Sequence, residues 1–235
     1  MDRPDLSLLE RPLWHALNDG WRAHAEGSAR ALRLQRDVGV FAAAADASSP
    51  ALAALAALLP DDGGELWLVE RNPPEPPGSV TVRTARCVQM VAERTASAPA
   101  SDLPIKPLGE TDAADMLALA DLTRPGPYIL GTQRLGAFIG VRDDAGRLIA
   151  MAGERMRMGG LAEVSGVCTH PDAQGRGLAT LLMRHVIARI VARGERPFLH
   201  AYDSNAAAIA LYERLGFRLT GTVAVRVVRR ADHAI

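Results

Sequence analysis

The stretch from Glu163 to Met183 constrains the fold of this chain more than any other part of the sequence. It reads EVSGVCTHPDAQGRGLATLLM, which is a β-prone run, a break at His170-Pro171, a glycine-rich loop and an amphipathic helix pattern. A strand that leads through free backbone amides into a helix N-terminus forms a cradle for phosphate oxygens. Glycines at Gly175 and Gly177 let the main chain approach such a ligand closely. The sequence therefore predicts a site for a phosphorylated ligand.

The glycine-rich loop does not fit the two common nucleotide-binding motifs. A dinucleotide fold requires GxGxxG after the first strand of its unit, and a P-loop requires a lysine followed by serine or threonine after the last glycine. Here residues 174–179 read QGRGLA, and no lysine follows them. The loop alone leaves the identity of the phosphorylated ligand open.

Composition argues against several classes of partner. The 27 basic and 27 acidic residues balance, which gives no case for a nucleic-acid or anionic membrane surface. Cys87 and Cys168 lie far apart and outside any Cys/His cluster, so we expect neither a disulfide framework nor a metal site. Residues 1–14 lack the apolar core of a signal peptide, and residues 38–59 are too polar to span a bilayer. We expect a cytoplasmic protein with no membrane partner.

A linker-like segment at residues 97–102, SAPASD, divides the pattern of predicted elements. We predict a smaller N-terminal α/β domain at 1–101 and a second α/β domain, built on one mixed sheet, at 102–235. In the first domain the predicted helices are 6–35 and 50–59, and the predicted strands are 65–70 and 80–91. In the second domain helices begin near residues 111, 177 and 205, and the predicted strands are 105–108, 136–142, 147–158, 161–169, 197–202, 217–219 and 223–228.

Three large or aromatic residues near the N-terminus have two interpretations. Trp14, His15 and Trp21 could line a pocket, but large aromatics are mostly buried, and core packing is the simpler interpretation.

Two motifs together resemble the GNAT superfamily of N-acetyltransferases. The first is Gln174-x-x-Gly177-x-Ala179. The second follows at residues 205–217 and reads NAAAIALYERLGF, similar to the ending N-x-x-A-x-x-x-Y-x-x-x-G-F of that family. The resemblance covers roughly residues 103–230 and is closest to less-characterised bacterial members. It implies a mixed, mostly antiparallel sheet flanked by helices, with an N-terminal domain that could be a degenerate copy of the same fold.

The resemblance implies acetyl-CoA, or another acyl-CoA, as co-substrate, with no metal. It assigns the pyrophosphate to backbone amides of the loop and helix start. The residues implied in binding the cofactor are Val167, Cys168, Thr169, Gln174, Gly175, Arg176, Gly177, Leu178, Ala179, Thr180, Asn205 and Ala208. Val167 and Thr169 would offer backbone groups to the pantetheine arm, as an added β-strand does. The side chain of Arg176 could contact phosphate or remain in solvent.

Transfer to an amine requires a neutral nucleophile and a proton for the departing thiolate. The resemblance implies Tyr212 as the acid, since a phenol with a reference pKa of ~10 is protonated at neutral pH; the alternative is a packed ring. Glu163 and Glu154 are candidate bases, because burial in apolar strands would raise the pKa of their carboxyls. The spacing from Glu163 to Gln174 resembles that of the histone-acetylating branch, in which a glutamate serves as base, often through water, whereas Glu154 could orient the amine. Either could instead be an outward charge on a half-exposed sheet.

Other reactive side chains have simpler interpretations. Cys168 could be an acylated nucleophile, but a small buried hydrophobe fits better because sequence fixes no partner except His170. His170 and His200 could shuttle protons, although loop and strand-end histidines are more often bystanders. The segment 123–131, TRPGPYILG, suits a lid or a pocket wall.

The predicted function is transfer of an acetyl group from acetyl-CoA to a primary amine of a small molecule, amino acid or peptide. One alternative is a non-catalytic acyl-CoA sensor. Another is an acyltransferase that uses a longer acyl chain or a hydroxyl acceptor. The sequence leaves open the acceptor and the oligomeric state, for which a homodimer is one option.

Overall fold

An eight-stranded mixed sheet organises the molecule, and a three-stranded antiparallel sheet accompanies it. The computed structural model describes residues 4–95 and 97–231. The strands are β1 Ala25–Ser28, β2 Ala31–Leu34, β3 Ala42–Ala44, β4 Leu66–Glu70, β5 Ser79–Ala92, β6 Lys106–Leu108, β7 Phe138–Arg142, β8 Leu148–Met158, β9 Leu161–Thr169, β10 Arg196–Tyr202 and β11 Phe217–Arg230. The helices are α1 Pro12–Asn18, α2 Ser49–Ala56, α3 Ala113–Thr123, α4 Leu178–Ala192 and α5 Ala206–Arg214.

The large sheet has the strand order β4-β11-β5-β10-β9-β8-β7-β6. Its neighbours are antiparallel except β9 and β10, which run parallel. Their pairing ends at Glu163 and Phe198, although both strands continue beyond this point. A cleft therefore opens between the C-terminal ends of two adjacent strands, which is where ligands bind in many α/β proteins. The sheet confirms the predicted mixed, mostly antiparallel fold class.

Both faces of the large sheet are covered. On one face α4 buries a stripe of residues spaced three and four apart, as an amphipathic helix does on a sheet: Leu178, Leu182, Met183, Val186, Ile187 and Ile190. On the other face α1 packs with β3 and Trp21 against the sheet. Successive side chains of β10 point to opposite faces of the sheet: Phe198 packs with the N-terminal residues, and Leu199 packs with α4.

The predicted helix at residues 6–35 is wrong beyond α1. The chain forms a 3₁₀ turn and then the hairpin of β1 and β2. Gly27 in β1 has φ +130°, and an added Cβ would lie 2.4 Å from the carbonyl oxygen of Ala31, so only glycine fits this hairpin. Trp21 is 0% exposed, and its indole N–H donates to the carbonyl of Arg155 at 2.7 Å. This confirms core packing for Trp21.

The large sheet takes strands from both sides of the boundary predicted near residue 102. That boundary lies between β5 and β6, and β5 pairs with both β10 and β11 in the interior of the sheet. The three-stranded sheet, α1 and α2 lie wholly within residues 1–101. The division at 1–101 and 102–235 stays a prediction about folding units. Within 4–95 and 97–231, none of the helices has the length and apolar character needed to traverse a bilayer.

Candidate active site

A cavity of about 300 Å³ lies where β9 and β10 separate. On one side it is lined by β9 beyond the last paired residue, by the first turn of α4 and by α5. The structure brings several residues implied by the two motifs to this side, namely Val167, Ala179, Asn205, Ala208 and Tyr212. Two motifs that are separate in the sequence therefore meet at one site.

The glycine-rich loop beside the cavity keeps its backbone open. Gly175 and Gly177 have φ values of +76° and +75°, and nothing lies within 4 Å of a Cβ added to either. Gly177 is the N-cap of α4 and supplies no side-chain cap, so the first amides of the helix keep their donors free. Ala179 lies both in this first turn and in the cavity wall. The arrangement fits a diphosphate at the helix start with its attached arm in the cavity.

Other residues implied in cofactor binding differ in what they present. The side-chain oxygen of Asn205 accepts a hydrogen bond from the Ala208 amide at 3.1 Å, which confirms its N-cap position on α5. The hydroxyl of Thr169 is buried and has no partner among the described residues. The Arg176 side chain is exposed.

Cys168 packs away from the cavity, among apolar residues of α3, β7 and β8. Burial raises the pKa of its thiol to about 11, so the group is protonated at neutral pH. The structure supports the interpretation of Cys168 as a small buried hydrophobe.

Tyr212 contributes one edge of the cavity from α5. Its ring contacts Phe217 edge-on at a centroid distance of 6.4 Å. Burial raises the pKa of the phenol, which keeps it protonated at neutral pH. The position and protonation suit a proton donor, and the catalytic role of Tyr212 stays a prediction.

The expectation that burial raises the pKa of Glu163 is wrong. The carboxylate is 1% exposed and accepts hydrogen bonds from Nε and Nη2 of Arg155, at 3.0 and 3.1 Å, and from Nδ1 of His200, at 2.8 Å. Burial pushes the pKa upward, but the Arg155 charge and the His200 bond outweigh it and hold the pKa at about 2. Glu163 is also absent from the cavity wall. A carboxylate this acidic and this enclosed does not fit a general base.

Glu154 is placed on the other side of the sheet, against α4. Its carboxylate is 2% exposed, accepts from Nε of Arg189 at 2.8 Å and is also bonded by Arg193. These cations lie at the C-terminal end of α4, where positive charge is favoured by the helix dipole. Glu154 does not line the cavity, so the structure does not support a role in orienting the amine.

Arg155 and His200 line the cavity, and no sequence motif marks Arg155, which is notable in the sequence only as the neighbour of Glu154. His200 donates from Nδ1 to Glu163, and its Nε2 lies 3.0 Å from the side-chain nitrogen of Gln89. The Gln89 amide also donates to the carbonyl of Leu9 at 2.7 Å, which fixes its orientation. Both ring nitrogens of His200 are therefore engaged, and neither is available to shuttle a proton.

The far end of the cavity is built by aromatic and apolar residues of the N-terminal half. Phe41, Trp67, Val69 and Cys87 lie here together with Val225. Trp14 and His15, the other candidates for a pocket, do not line this cavity.

Residues 123–127, at the end of α3 and in the loop after it, complete the cavity wall. They belong to the segment 123–131, which the sequence predicts to be a lid or a pocket wall. Arg124 in this loop has φ +51°, a left-handed conformation that is uncommon for a residue with a side chain.

Comparisons with known proteins agree with this geometry. The model of the FR47-like protein family matches residues 138–227. A solved structure from Novosphingobium aromaticivorans, assigned to the GNAT family of acetyltransferases, is 48% identical, with a TM-score of 0.86 over 98% of this chain and 100% of that chain.

Two curated relatives match shorter stretches. The [ribosomal protein bS18]-alanine N-acetyltransferase of Salmonella typhimurium is 46% identical over 57 residues, which are 24% of this chain and 38% of that protein. Mycothiol acetyltransferase of Mycolicibacterium vanbaalenii is 32% identical over 93 residues, which are 37% of this chain and 31% of that protein. The chain thus matches well under two thirds of each curated relative.

Proposed function

Because the chain belongs to the GNAT family of acetyltransferases, we propose that it transfers an acetyl group from acetyl-CoA directly to a primary amine of a small molecule, amino acid or peptide. The observation that carries the proposal is the convergence of the two motifs on one cavity. Val167 and Ala179 come from the first motif region, and Asn205 and Tyr212 come from the second. We also propose a cytoplasmic location, in which the free thiols of Cys87 and Cys168 stay reduced.

The chain offers acetyl-CoA three kinds of contact. The open amides from Gly175 to Thr180 suit the pyrophosphate without a metal. The part of β9 that continues past its pairing with β10 presents an unpaired edge to the pantetheine arm. At the same strand end, the buried hydroxyl of Thr169 has no partner among the described residues and is a hydrogen-bond donor for this arm.

Tyr212 is the proposed proton donor to the departing thiolate. The acetyl thioester supplies the activated acyl group, and the phenol holds the proton that the sulfur takes as the bond breaks. The raised pKa of Tyr212 keeps that proton in place at neutral pH.

Replacing Tyr212 by Phe tests this role. We expect Tyr212→Phe to lower kcat about 100-fold or more, with the Kd for acetyl-CoA unchanged, because only the proton is removed. The measurement is release of CoA with a panel of amines, together with acetyl-CoA binding by calorimetry.

Tyr128→Phe is the matched control, since the Tyr128 hydroxyl is buried without a partner among the described residues and lies outside this cavity. An unchanged kcat in Tyr212→Phe would reject the role. Tight acetyl-CoA binding with no CoA release on any amine would favour the sensor instead.

A further inference from the structure

We propose that the amine acceptor carries a carboxylate and that the guanidinium of Arg155 binds this carboxylate at the end of the cavity lined by Phe41. This inference rests on the acetyl transfer proposed above and narrows its acceptor to small, carboxylate-bearing amines. Three observations support it: the charges of the cavity wall, the donors of Arg155 and the apolar surroundings.

The cavity wall contains cationic side chains and no carboxylate among the described residues. Arg124 and Arg155 line it, and no Asp or Glu does so. The Arg124 side chain is exposed, and no acid within 4–95 and 97–231 pairs with it. Polyamines and other acceptors with several positive charges would meet only like charge in this wall. The electrostatics favour an acceptor with a negative group.

Arg155 is held in place by one edge and keeps the other edge open. Its Nε and Nη2 donate to Glu163, which is 1% exposed and fixes the guanidinium plane. None of the hydrogen bonds found among the described residues uses Nη1. The ring of Phe41 lies 4.9 Å from the guanidinium carbon, so the group is packed as well as bonded. A guanidinium with unused N–H donors and a fixed plane is preorganised for a carboxylate.

The body of the acceptor would contact apolar and aromatic surface. Trp67, Val69 and Val225 surround this end of the cavity. Arg83 lies over the Trp67 ring at 4.2 Å and limits the orientations of the indole. A cavity of about 300 Å³, shared with the end of the pantetheine arm, leaves room for a small acceptor. An apolar amino acid has the required combination of amine, carboxylate and side chain.

Three amines with one apolar body separate the substrate classes. L-phenylalanine carries a carboxylate, L-phenylalaninamide has a neutral amide in its place, and phenethylamine lacks the group. We expect kcat/KM for CoA release to be about 10- to 100-fold higher with L-phenylalanine than with the other two. Equal or better use of the amide or of phenethylamine would overturn the inference and leave acetyl transfer intact. No CoA release with any of the three would count against the proposed function as well.

A binding experiment tests Arg155 without turnover. We expect the protein to bind N-acetyl-L-phenylalanine about tenfold more tightly than N-acetyl-L-phenylalaninamide in calorimetry without donor. Arg155→Met alone would leave the buried Glu163 carboxylate without its arginine partner, so the test uses Arg155→Met with Glu163→Gln. This double variant should lose the preference for the acid.

Arg193→Met with Glu154→Gln is the matched control, because Glu154 is also a buried glutamate that an arginine bonds, and both residues lie outside the cavity. The control should keep the preference for the acid. Equal binding of acid and amide by the unaltered protein, or a full preference in the Arg155 double variant, would overturn the inference.

Discussion

At the scale of single residues, Glu163 is a buried ion-pair partner whose charge the fold requires. Its pKa is about 2 in the folded protein, below the usual glutamate range, because Arg155 and His200 outweigh the effect of burial. A lowered folded pKa adds stability above the unfolded pKa, and this stability is lost as the pH falls toward the folded pKa. Glu163→Gln has no charge to lose. We therefore expect the difference in free energy of unfolding between the unaltered protein and Glu163→Gln to shrink by about 2 kcal/mol from about pH 6 to about pH 3.

Urea unfolding of both proteins at the two pH values measures this gap. Glu213→Gln is the control, since Glu213 is exposed. A gap for Glu163→Gln that stays constant with pH would show that the carboxylate is not held in its charged form.

Sequence motifs predicted several residues of the cavity wall but not the partners of the two candidate glutamates. Val167, Ala179 and Asn205 belong to local motifs, so their positions follow from the chain near them. The partners of Glu163 come from the two neighbouring strands, β8 and β10, and a partner of Glu154 comes from α4, which the local pattern does not reveal. An irregularity in the β8–β9 register after Glu154 also breaks the alternation of faces. The arginine partner of each carboxylate therefore depends on how the strands pair and on how α4 packs against the sheet.

At the scale of elements, the start of α4 depends on the left-handed backbone of Gly177. An alanine at this position would be strained by about 1 kcal/mol at φ +75°, although no neighbour would contact the new methyl group. We expect Gly177→Ala to reduce the free energy of unfolding by about that amount. We also expect weaker acetyl-CoA binding, because relaxing the strain moves the amides that form the cradle.

Gly146→Ala is the matched control for Gly177→Ala. Gly146 has φ +81°, lies in open space and occupies the β7–β8 turn, outside the cavity. It should lose similar stability and keep its Kd for acetyl-CoA, measured by calorimetry. If Gly177→Ala and Gly146→Ala bind acetyl-CoA with the same Kd, the amides at the start of α4 are not part of the proposed acetyl-CoA site.

The sequence predicted the elements of the second half closely and those of the first half less well. The predicted strand at residues 161–169 matches β9, and the predicted helices near 177 and 205 match α4 and α5 within a residue or two. Residues 217–219 and 223–228 form one strand, β11, with an irregularity between Leu219 and Gly221. In the first half, leucine spacing suggested one long helix where tertiary contacts and Gly27 impose a hairpin. Helical spacing over a short window is a weak signal against such contacts.

At the scale of the whole molecule, the N-terminal hundred residues are part of the sheet that holds the site. They supply β4 and β5 to that sheet, and Phe41, Trp67, Val69 and Cys87 to the cavity wall. Removing them would expose the facing edges of β10 and β11, which β5 joins. A degenerate copy of the same fold in this half stays a prediction, whereas its structural contribution follows from the pairing.

We therefore expect residues 102–235 alone to be unfolded or aggregated, despite containing both motifs. Size-exclusion chromatography and circular dichroism of this fragment test the expectation, with the full chain carrying a flexible insertion between Ala100 and Ser101 as control. The insertion lengthens the connection between β5 and β6 and leaves every strand pair intact, so it should cost little stability. A folded, monomeric fragment that binds acetyl-CoA would instead establish the boundary near residue 102 as a true division between folding units. Because strand pairing to β5 joins the two halves, we expect the fragment to lose both its fold and the end of the cavity that we propose for the acceptor.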